Sequence, residues 1–168
     1  MISDGKNELL KIGVNGDIIT CWKTCYNRFK NQPKELVQRI HSGGSIDEKC
    51  QAVFDYLCKH VYYRLDDEGY QWIKSPARLI DDGCGDCKSL TMFIASCLHC
   101  LGIKCIVRFV NFDGGSQYSH VYPVAIDEYG QEIVMDMCET DSGIEINGTP
   151  LYGYARPYRR KQDIVYEN

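Results

Sequence analysis

The strongest periodicity in the chain begins at Ile46. Ile46, Cys50, Val53, Phe54, Leu57, Cys58 and Val61 recur at three- and four-residue spacing, which predicts a helix with one apolar stripe. Ahead of it, Ser45-Ile46-Asp47-Glu48 has the form of a capping box, in which serine and glutamate satisfy orphan amides of the first turn. A second stripe, Leu90, Phe93, Ile94, Cys97, Leu98 and Leu101, predicts a helix from about Cys87 that Gly102 stops. Shorter helices are expected over Cys21–Lys30 and Pro33–Ile40, the latter with proline in its first turn and Gly43-Gly44 beyond its end. After Gly102 the period changes. Lys104–Phe112, Val121–Ile126 and Ile133–Met135 are β-branched and aromatic, and are separated by Gly114-Gly115 and by Asp127-Glu128-Tyr129-Gly130, as antiparallel strands joined by turns would be. Helices followed by a small antiparallel sheet define an α+β fold. Residues 138–168 are turn-rich, and Ala77–Gly83 reads as a short turn-bound segment.

Composition narrows the class. The 168 residues fit a single domain, with 44% apolar and 25% charged side chains. A net charge of −4 argues against a nucleic-acid partner, which would call for a basic field. The basic run Arg156–Lys161 reads as a solvated tail or a dock for an acidic partner. The first residues lack a basic region leading into an apolar one, and no apolar run reaches the ~18 residues of a membrane span. A cytoplasmic protein with free thiols is therefore expected. That matters because the chain has ten cysteines. Cys50, Cys58 and Cys97 fall on helix stripes and Cys105 on a strand, where thiols serve as small hydrophobes. Cys21, Cys25, Cys100 and Cys138 are not placed by pattern.

Cys87 stands apart. It follows Gly85-Asp86 and opens a helix, where unpaired amides and a partial positive charge lower a thiol's pKa. Its own amide is also placed to help hold an oxyanion. Of the four histidines, His41 follows a helix end, and His60 and His99 lie on helices. His120 opens a strand, and Asp136 falls on the next one. A hairpin centred on residue 128 sets His120 directly opposite Asp136, with Cβ atoms ~5 Å apart, close enough for an imidazole–carboxylate bond. Nucleophile, base and orienting acid would then form a triad.

Gly85-Asp86-Cys87 at the head of a helix ending Leu101-Gly102-Ile103, followed by His120 on a strand and Asp136 on the next, resembles the transglutaminase-like cysteine peptidase superfamily. Tyr70–Pro76 resembles the segment that precedes the nucleophile in bacterial and phage members. The likeness spans about residues 46–140, leaving 1–32 and 141–168 as peripheral arms of a single 1–168 domain. It implies a papain-like fold with the cysteine helix packed on an antiparallel sheet. It also implies Cys87 as nucleophile, His120 as base and acid, Asp136 as orienter, a peptide or protein substrate, and no cofactor or metal. Where members often carry alanine and tryptophan after the histidine, this chain has Val121-Tyr122; where proline often follows the aspartate, it has Met137-Cys138. Gln71 and Trp72 are candidates for a second oxyanion donor.

Other readings use the same residues. Cys84-Gly85-Asp86-Cys87 has the spacing of a thioredoxin-type dithiol, with Pro123 as its strand-preceding proline. Cys84 and Cys87 together with Cys97 and Cys100 match zinc-ligand spacing. Such a domain could also persist as a non-catalytic binding module, or work as a protein transamidase. The first 32 residues could then form a lid, a pro-segment or a partner-binding arm.

Overall fold

Most of the chain's helices precede its main sheet. The computed structural model describes residues 16–40, 43–138, 145–146, 149–150 and 152–167. Helices α1 (Gly16–Phe29), α2 (Lys34–Ile40) and α3 (Ile46–His60) come first. A short strand β1 (Tyr62–Tyr63), helix α4 (Pro76–Asp82) and strand β2 (Cys84–Gly85) lead into α5 (Cys87–Cys100). Strands β3 (Cys105–Asn111), β4 (His120–Ile126) and β5 (Glu132–Val134) follow, then β6 (Glu145–Ile146), β7 (Thr149–Pro150) and β8 (Arg160–Tyr166). The main sheet runs β5-β4-β3-β8 and is antiparallel throughout. The α+β architecture is the one the sequence pattern implies.

Capping chemistry fixes where the helices begin. Ser45 and Glu48 form the reciprocal box, with Glu48 N–H donating to Ser45 Oγ at 3.2 Å and Ser45 N–H to Glu48 Oε2 at 2.8 Å. Cys50, Val53, Phe54 and Leu57 of α3 are buried as its stripe requires. Residues 77–83, read from sequence as a turn, instead form most of α4. Ser75 caps it, Pro76 occupies its first turn, and Gly83 closes it with φ +65°.

Helix α5 is more deeply enclosed than a single stripe would make it. Every residue from Lys88 to Leu98 is buried. The helix lies between β3 and β4 on one side and α1–α4 on the other. Thr91 Oγ1 on its sheet-facing side donates to Val121 O of β4 at 3.1 Å.

The terminal segments expected to be peripheral join the core where they are described. Trp22 and Tyr26 of α1 are fully buried and stacked, 5.3 Å apart, and Trp22 Nε1–H donates to Lys88 O at 3.0 Å. Strand β8 pairs with β3 along its whole length. The buried Arg108 of β3 ties three strands together, holding Glu132 of β5 at 2.7 and 2.8 Å and Asp163 of β8 at 2.8 and 2.9 Å. Among the described residues, no helix is long and apolar enough to cross a membrane.

Candidate active site

The turn that presents Cys87 is built from three neighbours. Asp86 caps α5, its Oδ1 accepting from Lys88 N–H at 3.1 Å and Ser89 N–H at 3.3 Å. Its carbonyl takes the Leu90 N–H at 3.0 Å. None of these bonds uses the Cys87 N–H. Gly85 is required by close packing, because a Cβ there would lie 2.6 Å from Leu79 Cδ1 and 3.0 Å from Ser89 Cβ. The buried Lys88 ammonium bonds Asp86 and sits 3.2 Å from Asp66 Oδ2. It thereby anchors the loop after β1 to the head of the helix.

His120 Nε2 lies 2.6 Å from Asp136 Oδ2, both residues being buried. The route to this contact differs from the expected one. Val124 pairs with Val134 and Ala125 with Ile133, so the hairpin is centred on residue 129 and not 128. Strand β5 ends at Val134, and Asp136 lies two residues beyond it on an extended continuation whose Met135 N–H donates to Pro123 O at 3.0 Å. In that register Tyr122 faces Asp136 and Cys138 faces His120. The slip is two residues, so the side-chain face is unchanged and His120 meets Asp136 on the diagonal. Phe112 and Tyr122 flank the imidazole with centroids 5.8 and 5.7 Å away. Cys138 N–H donates to Asp136 Oδ1 at 3.0 Å and fixes the carboxylate from its other side.

The electrostatics separate the two thiols of the site. Hydrogen bonding from the Cys138 side chain draws the Cys87 thiol well below its ordinary pKa; burial opposes this and His120 reinforces it. The Val121 N–H adds a backbone hydrogen bond to the same sulfur. Burial pushes Cys138 far up, and the neighbouring Cys87 adds to that. Burial also disfavours the charged form of His120, but Asp136 and then Cys87 outweigh it and raise its pKa to about 10. The directions of these shifts favour a Cys87 thiolate beside a His120 imidazolium, and a protonated Cys138.

A cleft of about 340 Å³ opens over this group. Cys87 and His120 line it, with Tyr63, Gln71 and the acidic run Asp66–Glu68 along the rim. Gln71 is thus placed on the cleft, as an oxyanion donor would need to be. Trp72 is not among the lining residues; it stacks on Tyr70 at 5.7 Å, and its backbone N–H is given to Asp66 Oδ2 at 2.7 Å. Of the other histidines, His60 is exposed on α3 with Nδ1 2.7 Å from Tyr56 O, His99 packs edge-on to Tyr26, and His41 lies outside the described residues.

Neither competing cysteine grouping has the local structure that its chemistry calls for. Cys84 lies inside the two-residue strand β2, just after helix α4, and not beyond a strand's end, and its sulfur lies 4.0 Å from Lys74 Nζ. Pro123 sits inside β4. Cys97 and Cys100 belong to an unbroken helix, with Cys97 fully buried. Sequence reasoning passed over Cys138, Tyr63, Asp66 and Lys88. Only Asp86, as an N-cap residue before a helix, carried a local signal.

Comparison with known proteins bears on the family and the fold. The model of the transglutaminase-like superfamily matches residues 34–137, and the chain belongs to that superfamily. Among solved structures, one called a "putative protease" from Parabacteroides distasonis ATCC 8503 superposes with a TM-score of 0.61 at 12% identity, over 72% of this chain and 26% of that one. A "putative cysteine protease" from Cytophaga hutchinsonii gives 0.52 at 17% identity, over 76% of this chain and 44% of that one. These likenesses establish the fold, and the chain spans less than half the length of either structure. No curated protein matches the sequence.

Proposed function

We propose that the chain is a cysteine hydrolase that cleaves an amide bond of a peptide or protein. One observation carries the reading: a thiol at the first position of a helix, drawn toward the thiolate, beside a histidine bonded at 2.6 Å to a buried aspartate, on the wall of an open cleft. Cys87 attacks the carbonyl carbon, and His120 gives its proton to the departing amine, leaving a thioester on Cys87. Water then enters, His120 takes its proton, and the acid is released. Asp136 holds the imidazole with Nε2 toward itself and Nδ1 toward the sulfur. The Cys87 N–H, with Gln71 as the candidate second donor, steadies the oxyanion. No step calls for a cofactor or a metal.

The same thioester would give transamidation if an amine entered in place of water, so the two activities share every residue named. The acidic composition fits a polypeptide substrate better than a nucleic acid, and the free thiols suit the reducing cytoplasm.

The test is incubation with an unfolded protein in the presence and absence of a fluorescent primary amine, read by mass spectrometry. New termini, or amine incorporation, that vanish in Cys87→Ala support the reading. Product patterns identical for wild type and Cys87→Ala refute it.

A further inference from the structure

The dithiol spacing in the sequence pointed to Cys84 and Cys87, but the fold gives Cys87 a different thiol partner. Cys138 sits across from His120 in the β4–β5 register. Its sulfur, a His120 ring nitrogen and an Asp136 oxygen all lie within 4.8 Å of one another. Cys87 adjoins the same imidazole and lines the cleft, whereas Cys138 is buried behind it at 5% exposure. A half-buried thiol on the cleft wall is thus backed by a second, buried thiol that its side chain meets. That is the arrangement in which an oxidised cysteine is resolved by its neighbour.

We propose that Cys87 and Cys138 form a reversible peroxide-sensitive pair that switches the site off through a disulfide. The proposal rests on Cys87 being the reactive thiolate of the hydrolase reading. In the first step the Cys87 thiolate attacks hydrogen peroxide. An S–O bond forms and the O–O bond breaks, giving Cys87 sulfenic acid and hydroxide, with sulfur losing two electrons. In the second step the Cys138 sulfur attacks Cys87 sulfur. The S–S bond forms, the S–O bond breaks, and the hydroxyl leaves as water with the Cys138 proton. A small dithiol reductant reverses the state by thiol–disulfide exchange. The disulfide removes the nucleophile from the cleft and also protects it, because an unresolved sulfenic acid that meets a second hydrogen peroxide is oxidised to irreversible sulfinic acid, with water released.

Other thiols are poorly placed to compete. Cys50, Cys97 and Cys105 are fully buried in the core, and the buried Cys84 sulfur lies 4.0 Å from Lys74 Nζ.

The experiment treats the reduced native chain with a slight excess of hydrogen peroxide at neutral pH, then alkylates, digests and maps the peptides by mass. The expected product is a Cys87–Cys138 linked pair that dithiothreitol returns to two alkylatable thiols. Cys138→Ser should instead accumulate sulfinic acid on Cys87, with about tenfold less thiol recovered on reduction. Cys84→Ser should behave as wild type. The wild-type map stands alone even if the Cys138 variant folds poorly. If Cys87 alkylates rapidly but oxidises without linking to Cys138, or links to Cys84, the switch is wrong and the hydrolase reading survives. If Cys87 resists both alkylation and peroxide, both ideas fall.

Discussion

Asp136 Oδ2 lies 2.6 Å from Nε2 of His120, which leaves Nδ1 as the ring nitrogen that this carboxylate contact does not use. The bond is buried on both sides, and it raises His120 against the pull of desolvation. Asp136→Asn keeps the shape and removes the charge. The His120 pKa should fall, and each unit of that fall corresponds to ~1.4 kcal/mol of lost preference for imidazolium. Titration of His120 by NMR in wild type and variant measures it directly. An unchanged His120 pKa would show that Asp136 does not hold the charge.

Arg108 gives a separate prediction about stability. It is buried, yet its partners Glu132 and Asp163 keep 45% and 21% side-chain exposure. Arg108→Ala should therefore cost about 2–3 kcal/mol in urea unfolding, less than the ~3–5 kcal/mol of a fully buried pair. Hydrogen bonding to Arg108 lowers the Glu132 carboxyl, and Arg108 with Lys161 lowers Asp163 despite burial. Both groups thus contribute stability above the ordinary carboxylate range, and that stability is lost as pH falls through their depressed folded values. In Arg108→Ala the acid limb of the stability curve should flatten.

Gly85→Ala tests how the nucleophile turn is packed. A methyl 2.6 Å from Leu79 Cδ1 and 3.0 Å from Ser89 Cβ forces the Leu79 side chain or the start of α5 to move. A loss of about 1–3 kcal/mol is expected. Cys87 should also alkylate more slowly at neutral pH, because the thiol leaves its partners. Equal rates would mean that the turn tolerates the displacement.

Trp22 links α1 to the nucleophile helix. It is fully buried, and its indole N–H holds the Lys88 carbonyl one residue beyond Cys87. Trp22→Ala should cost ~3–5 kcal/mol in thermal or denaturant unfolding. A cost near zero would return this segment to the status of a detachable arm.

What the sequence made legible follows from periodicity and capping. The stripe after Ser45 and the strand runs after Gly102 gave α3, β3 and β4 nearly residue by residue, and Cys87 with His120 stood out by position. The hairpin centre was misplaced because the loop from Asp127 to Gln131 folds on Asp127 Oδ1, which accepts the N–H groups of Tyr129 and Gln131. The misplacement kept the face correct because strand side chains alternate with period two. Helix α4 was missed although Ser75-Pro76 is a helix start, since seven residues are too few to display a stripe. Cys138 and Lys88 had no sequence signal at all. Their partners come from elements 51 residues away for Cys87–Cys138 and 22 for Asp66–Lys88, and only the tertiary fold brings them together.

The central claim is that His120 and its neighbours hold Cys87 as a thiolate. The most direct measurement is the rate of Cys87 alkylation by iodoacetamide as a function of pH, in wild type and in His120→Ala, with mass mapping to separate the ten thiols. Wild-type Cys87 should already react at full speed below pH ~7, well under the ~8.5 of a free thiol, and His120→Ala should move that limb upward. A Cys87 that gains reactivity only near the free-thiol range, with the same profile in His120→Ala, would contradict the account.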